Sequence, residues 1–458
     1  MRETAWLSVF EKEAVIQDFR ENPFFACGFF GKEEDCRFFR RSFFDIGMVL
    51  KRHRTREMNA IELEQAIDLL LEQAFEIREY EETDILQASG RILAETICAP
   101  HDQPPFPRSP LDGYAVRSED IRDASPDSPA ELKVIDEVDA GHMTEKAVTP
   151  GTAIRIMTGA PIPEGADCIL KQEDTDYGET TVKVFKPLQH LQNYCCQGED
   201  YRKGAILFEQ GDRLGPVEIG VLAGLNRKSV KVYRRPRVLV MSTGDEIAEP
   251  GTSLLPGQIY DSNLHMLLAQ LADWKVEIAD STLMGDNPAE AAEWIDSRIG
   301  EADLVITTGG VSVGKKDIMH DVFRILGVRQ MFWGVDIKPG MPTLCGKYRD
   351  RLLICLSGNP YGAIANLHLL VKPVLAKMTG REDLRTVRIS AYLEGEFGKK
   401  SPVRRFVRAK VTGHTVRLTD GSNDSGVLSS MCRCNCMVEI PAGSGELKAG
   451  EKVKVVLL

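Results

Sequence analysis

The chain has 458 residues, 43% of them hydrophobic and 27% charged, with a net charge of −11. That length exceeds one ordinary domain, so about two to four are expected. The acidic balance argues against a general nucleic-acid binder, and no run of about eighteen apolar residues offers a membrane span.

Residues 1–57 hold ten of the eighteen phenylalanines and a dense scatter of charge, with neither clear periodicity nor a signal peptide. They form an N-terminal extension. It reads either as a disordered or wrongly assigned start, which could be deleted without harm to the body, or as a partner-binding arm of exposed phenylalanines. From Met58, "MNAIELEQAIDLLLEQAFEI" keeps helical spacing at Ile61, Ala66, Ile67, Leu70, Leu71, Ala74 and Phe75. Residues 58–98 are grouped with 200–235 as an N-terminal helix and linking domain. Between them, 99–199 is rich in Pro and Gly, and "ELKVIDEV", "TAIRIMTGAPIPEGADCILK" and "TTVKVFKPL" predict a small β domain.

Residues 236–382 alternate strand and helix. "RVLVMSTG", "KVEIADSTLM" and "DLVITTGG" are strands; "DSNLHMLLAQLADW" and "NPAEAAEWIDSRIG" are helices; a further helix starts at about Lys315. The second helix has Asn287 as N-cap, Pro288 in the first turn and Glu290 beyond. Such alternation predicts a mainly parallel sheet covered on both faces, with ligands at the carboxyl ends of its strands. Residues 383–458 are strand-like and predict a small barrel or sandwich. The fold class is therefore α/β plus β.

Eleven cysteines without an export signal read as reduced cytosolic thiols. Cys432, Cys434 and Cys436 would share one face of a strand, either as small packed residues or as ligands of a soft metal.

Three strand ends carry "STGDE", "TTGGVSVG" and "LSGNP". Gly309, Gly310, Ser312 and Gly314 of the second loop, and Ser357, Gly358, Asn359 and Pro360 of the third, would offer backbone N–H groups and a helix start to an anion. There is no G-x-x-x-x-G-K-[ST] and no G-x-G-x-x-G, which argues against a P-loop NTPase and a Rossmann dinucleotide site. Asp245 and Glu246 follow the first of these strands, Asp286 follows the strand "KVEIADSTLM" in "MGDNP", and Asp317 follows the "TTGGVSVG" loop. Singly, each would serve as a helix-start charge. Together they would repel an anion unless a divalent cation intervened, as Mg2+ does with carboxylates and substrate phosphates.

At this point "PPFPRSPLDGYAV", "RIMTGAPIPEGAD", "STGDE", "QIYDSN", "TTGGVSVG", "IKPG" and "SGNP" stand in order. Over residues 58–458 the chain resembles the molybdopterin molybdenumtransferase family of MoeA type, which includes the E domain of gephyrin. The resemblance implies a cytoplasmic, four-domain homodimer. It would insert molybdate into adenylylated molybdopterin with release of AMP, assisted by Mg2+, and would have the molybdopterin-adenylylating enzyme as a partner. It implies catalytic roles for Asp112, Thr158, Glu246, Asp317 and Lys338, with Asp112 and Thr158 facing the other subunit's crevice. Glu246, Asp286 and Asp317 would hold the metal. Arg408 and Ser425 would join the two glycine loops in binding the pterin substrate.

The chain departs from the family pattern where Gly334 and Met341 replace lysines, Ser357 replaces a proline and Cys195 stands for an arginine. Lys315 and Lys316 are additional and offer replacement charge from the facing loop. The lost lysines leave open a second reading, a non-catalytic protein that binds or carries molybdopterin or the finished cofactor.

Overall fold

The computed structural model describes residues 59–312, 317–419 and 424–458. The chain divides into two compact units: Ile77–Arg234, and the segment up to Glu76 together with Arg235–Leu458. The first helix, Leu63–Gln73, thus goes with the second unit, whereas the sequence grouped it with residues 200–235. Its contacts explain why. Leu63, Ala66 and Leu70 are buried. Ile61 bridges Val335, Lys377 donates to the Leu71 carbonyl at 2.6 Å, and Arg351 lies over the Phe75 ring at 4.8 Å. Ile61 itself precedes the helix, and Leu63, outside the periodic set, is one of its buried anchors.

In the first unit, Tyr80–Asp84 pairs antiparallel with Ser229–Tyr233, and Ile97–Cys98 with Ile206–Phe208. Leu93, Leu214, Leu222 and Val232 fill the core beneath them. The intervening residues make a five-stranded sheet in the order Cys168–Lys171, Gly113–Val116, Thr152–Ile156, Ala130–Val138, Thr181–Val184. Both faces are covered: Tyr114 and Leu170 pack on one side, Ala115 and Ile169 on the other, as strand alternation requires.

In the second unit a six-stranded sheet runs Glu277–Met284, Arg237–Thr243, Leu304–Thr308, Arg351–Leu356, Leu344–Tyr348, Arg329–Trp333. The first four strands are parallel, and the fifth turns antiparallel. The central strands are continuous buried runs, Val238–Met241 and Leu304–Ile306 among them, the composition of a parallel sheet covered twice. The predicted cap forms. The Asn287 side chain accepts from the N–H groups of Ala289 and Glu290 at 3.1 and 3.4 Å, and its amide donates to Glu290 at 2.7 Å.

The C-terminal strands Arg404–Thr412, Thr415–Leu418, Arg388–Glu394, Lys452–Leu457 and Cys436–Ile440 close into a five-stranded barrel, the last pairing back on the first. One short strand from the α/β part, Ile337–Lys338, runs parallel along the start of Arg404–Thr412, with Lys338 in register with Arg405. The three thiols do not share a strand face, contrary to the spacing of two. Only Cys436 lies in a strand; Cys432 and Cys434 sit in the preceding turn, where Cys434 Sγ contacts the Ser430 carbonyl at 3.2 Å. The spacing of two has no face to share because the backbone there is folded into turns.

Candidate functional site

Three neighbouring parallel strands end at Thr243, Thr308 and Leu356, and their loops are bolted together by buried polar groups. The Thr308 hydroxyl donates to the Ser357 carbonyl at 2.9 Å. Asn263 donates to Thr308 Oγ1 at 3.0 Å and to the Gly358 carbonyl at 2.8 Å. Asp261 accepts the N–H of Asn263 at 2.8 Å. The motif "QIYDSN" therefore braces the loops, a role the sequence reading did not assign.

The glycines have a local cause. Gly309 has φ +94°, and a Cβ there would stand 2.3 Å from the Thr243 carbonyl oxygen. Gly358 packs against Gly309, with an added Cβ 3.3 Å from the Gly309 Cα. The bare backbone thus first serves loop-on-loop packing. Gly310 shares the positive φ, at +63°. Ser312 is half-buried, and Pro360 opens the helix Pro360–Asn366 directly behind Asn359. Gly314, Lys315 and Lys316 lie outside the described residues.

Of the acids, Asp245 and Asp286 face each other across neighbouring strand ends: the Asp286 N–H donates to Asp245 at 3.0 Å, and the Asp245 N–H to Asp286 at 3.5 Å. Glu246 is exposed, its carboxylate folded back over Gly244. Asp317 is half-buried just before the helix Met319–Leu326. Among the described residues no three His, Cys, Asp or Glu side chains are grouped to hold a metal. Paired carboxylates suit Mg2+ when substrate phosphates complete its shell, so the donor set at Asp245 and Asp286 fits that ion.

A cavity of about 620 Å³ opens between the strand-end loops and the barrel. Lys338, Ser357, Asn359 and Ser425, all singled out from sequence, line it, and so do Lys399, Arg405, Tyr361 and Asp336, which were not. Asn366 fixes the Lys338 loop by donating to the Gly340 carbonyl and to Thr343 Oγ1, at 2.8 and 2.6 Å. A Cβ at Gly340 would lie 2.2 Å from Asn366 Oδ1.

Arg408 is fully buried. It donates to the carbonyls of Val427 and Asp424 and to Ser430 Oγ, and it stacks 4.1 Å above the Tyr361 ring. Burial draws its pKa down from the arginine range. The Tyr361 hydroxyl donates to the Phe406 carbonyl at 2.9 Å, and its backbone N–H to the Ser425 carbonyl at 3.0 Å. Arg408 therefore positions the Ser425 loop. Lys399 and Arg405 escaped sequence reading; strand alternation along "RRFVR" was the available signal, since it separates Arg405 from Arg404 and Arg408 from Val407.

In the first unit, Asp112 and Thr158 come together on an exposed surface. The Thr158 N–H and hydroxyl both donate to one Asp112 oxygen, at 2.7 and 2.6 Å. These bonds hold the carboxyl below its usual range.

A buried parallel sheet presenting loop-lined strand ends, with a barrel beside them, defines the class: α/β proteins that bind ligands at the carboxyl edge of the sheet. Comparison with known proteins is more specific. The "MoeA N-terminal region (domain I and II)" matches residues 61–225, the "Probable molybdopterin binding domain" 239–377, and the "MoeA C-terminal region (domain IV)" 390–458. A molybdopterin molybdenumtransferase of Staphylococcus epidermidis is 37% identical over 87% of this chain and 95% of its own; one from Staphylococcus aureus is 36% identical over 80% and 88%. The crystal structure of a molybdopterin biosynthesis MoeA protein from Pyrococcus horikoshii superposes with TM-score 0.75 at 34% identity, covering 87% of this chain and 99% of its own. The chain belongs to the MoeA-type molybdopterin molybdenumtransferase family and has its four-domain fold.

Proposed function

We propose that the chain inserts molybdate into adenylylated molybdopterin and releases AMP in a Mg2+-assisted step. As a family member it is a transferase of molybdenum cofactor biosynthesis. The observation that carries the reading is the convergence of Lys338, Ser357, Asn359 and Ser425 on one cavity. A lysine, hydroxyls and an amide are the donors a tetrahedral dianion requires. Glu246, Asp286 and Asp317, with Asp245 beside Asp286, would hold Mg2+ next to the substrate's pyrophosphate. Bound there, the ion would offset charge developing on the leaving phosphate. Lys338 would stabilise the oxyanion, and no covalent protein nucleophile is needed.

The Asp112–Thr158 pair, pre-oriented and exposed, fits a site completed by the second subunit of a homodimer acting in the cytoplasm. There the adenylylating enzyme would be the natural donor of substrate. No helix of the described residues is long and apolar enough to cross a membrane.

Purified protein incubated with adenylylated molybdopterin, molybdate and Mg2+ should release AMP in a molybdate-dependent manner. Absence of molybdate-dependent release would overturn the reading in favour of a carrier. Heterodimers of Asp112→Ala and Asp317→Ala chains should regain part of the activity. No recovery in verified heterodimers would remove the shared site.

A further inference from the structure

The family's lysines at positions 334 and 341 are absent, yet the cavity is not short of positive charge. We propose that Arg405 and Lys399, supplied by the barrel, join Lys338 to form the binding set for the tetrahedral oxyanion, an inference that rests on the molybdate-insertion reading.

Lys338 and Arg405 are direct partners on neighbouring parallel strands, and both line the cavity with Lys399. Like charges side by side on a sheet are destabilising. Folds usually relieve this with a carboxylate, and this one does so a single residue away. Arg404 bonds to Glu64 and to Glu439, in each case at 2.5 Å. No carboxylate forms an ion pair with Lys338, Arg405 or Lys399 among the described residues. Strand alternation turns Arg404 to its glutamates and Arg405 to the cavity.

The arrangement is also held in place. Arg405 Nε donates to Ser401 Oγ at 3.2 Å, and its guanidinium sits 5.7 Å from the Phe397 ring centroid. The Lys338 loop is fixed by Asn366. Asp336 and Asp424 line the same cavity. Three cations against these two acids leave a net positive charge that attracts an oxyanion. An arginine fork beside a lysine matches the oxygens of a tetrahedral anion.

The test is equilibrium dialysis of the full-length protein with molybdate, and with inorganic phosphate as a probe of the same geometry. Arg405→Gln should weaken molybdate binding roughly ten-fold, and the Arg405→Gln, Lys399→Gln pair roughly a hundred-fold. Arg405→Lys should recover part of the loss. Lys410→Gln, on the same strand but outside the cavity, should bind as wild type. Molybdate should raise the melting temperature of wild type and not of the double variant, which separates lost binding from lost folding. Affinity within two-fold of wild type in the double variant would overturn the proposal. AMP release by the same proteins keeps the two ideas apart. If Arg405 governs binding while wild type releases no AMP, the site stands and the transfer reading falls. If release shows an unchanged molybdate half-saturation in Arg405→Gln, the reading stands and this site falls.

Discussion

The two walls of the cavity are built on different principles. The strand-end wall rests on backbone: the loop that brings Ser357 and Asn359 to the cavity packs through Gly358 on Gly309, and its carbonyls are bound by Thr308 and Asn263. The barrel wall is side chain: along one strand Arg404 pairs with carboxylates, Arg405 faces the cavity and Arg408 is buried as a brace. A backbone wall tolerates little substitution because every atom has a neighbour. A side-chain wall can exchange its charges while the strand beneath stays the same. That difference explains how lysines missing from the first wall are offset from the second.

Replacing the brace should give the largest effect. Arg408→Leu removes a buried guanidinium and its bonds to the carbonyls of Val427 and Asp424 and to the Ser430 hydroxyl, leaving these groups only their bonds to one another. A loss of about 4 kcal/mol in unfolding free energy is expected from chemical denaturation. A loss below about 1 kcal/mol, accompanied by collapse of substrate affinity, would show that Arg408 faces the ligand after all.

The backbone wall should break next. Gly309→Ala must hold φ at +94° and push a methyl group against the Thr243 carbonyl. The backbone there is pinned by the sheet, so about 3 kcal/mol is expected. An unchanged denaturation midpoint would mean that the loops are not packed on one another.

This contrast also decided what could be read from sequence. The α/β alternation, the Asn287 cap and the motif loops are local patterns, and they foretold the sheet and three of its strand ends. The barrel was foreseen only as strands with turns, because closure depends on pairing between residues far apart, such as Arg405 with Ile440. Arg408 carried a family role as a ligand residue, yet its burial is visible only once the 424–430 loop folds over it. Lys399 and Arg405 were missed for the converse reason: alternation in "KKSPVRRFVR" separates Arg405 from Arg404, but nothing local says which of them meets a carboxylate. Glu64, which takes Arg404, lies 340 residues away in sequence. The turn at Cys432–Cys434 defeated a period-two reading because alternation holds only where the strand exists.

The smallest effect concerns that distant partner, and it sharpens the contrast between Arg404 and Arg405. The Arg404 hydrogen bonds hold the Glu64 carboxyl below the usual glutamate range. A group depressed in the folded state adds stability that is fully present above its unfolded pKa and is lost as pH falls through the folded one. The Glu64 side chain is 59% exposed, so water screens the pair, and its worth is about 0.5 kcal/mol. Glu64→Gln should therefore cost about that much at neutral pH, and progressively less as acid protonates Glu64 in the wild type. Added salt should shrink the neutral-pH difference in the same way. Denaturation of both proteins at neutral and acidic pH measures it. A gap that widens on acidification would contradict the direction of the shift and detach Glu64 from Arg404. Arg404 would then rest on Glu439 alone, still paired with a carboxylate where Arg405 is not.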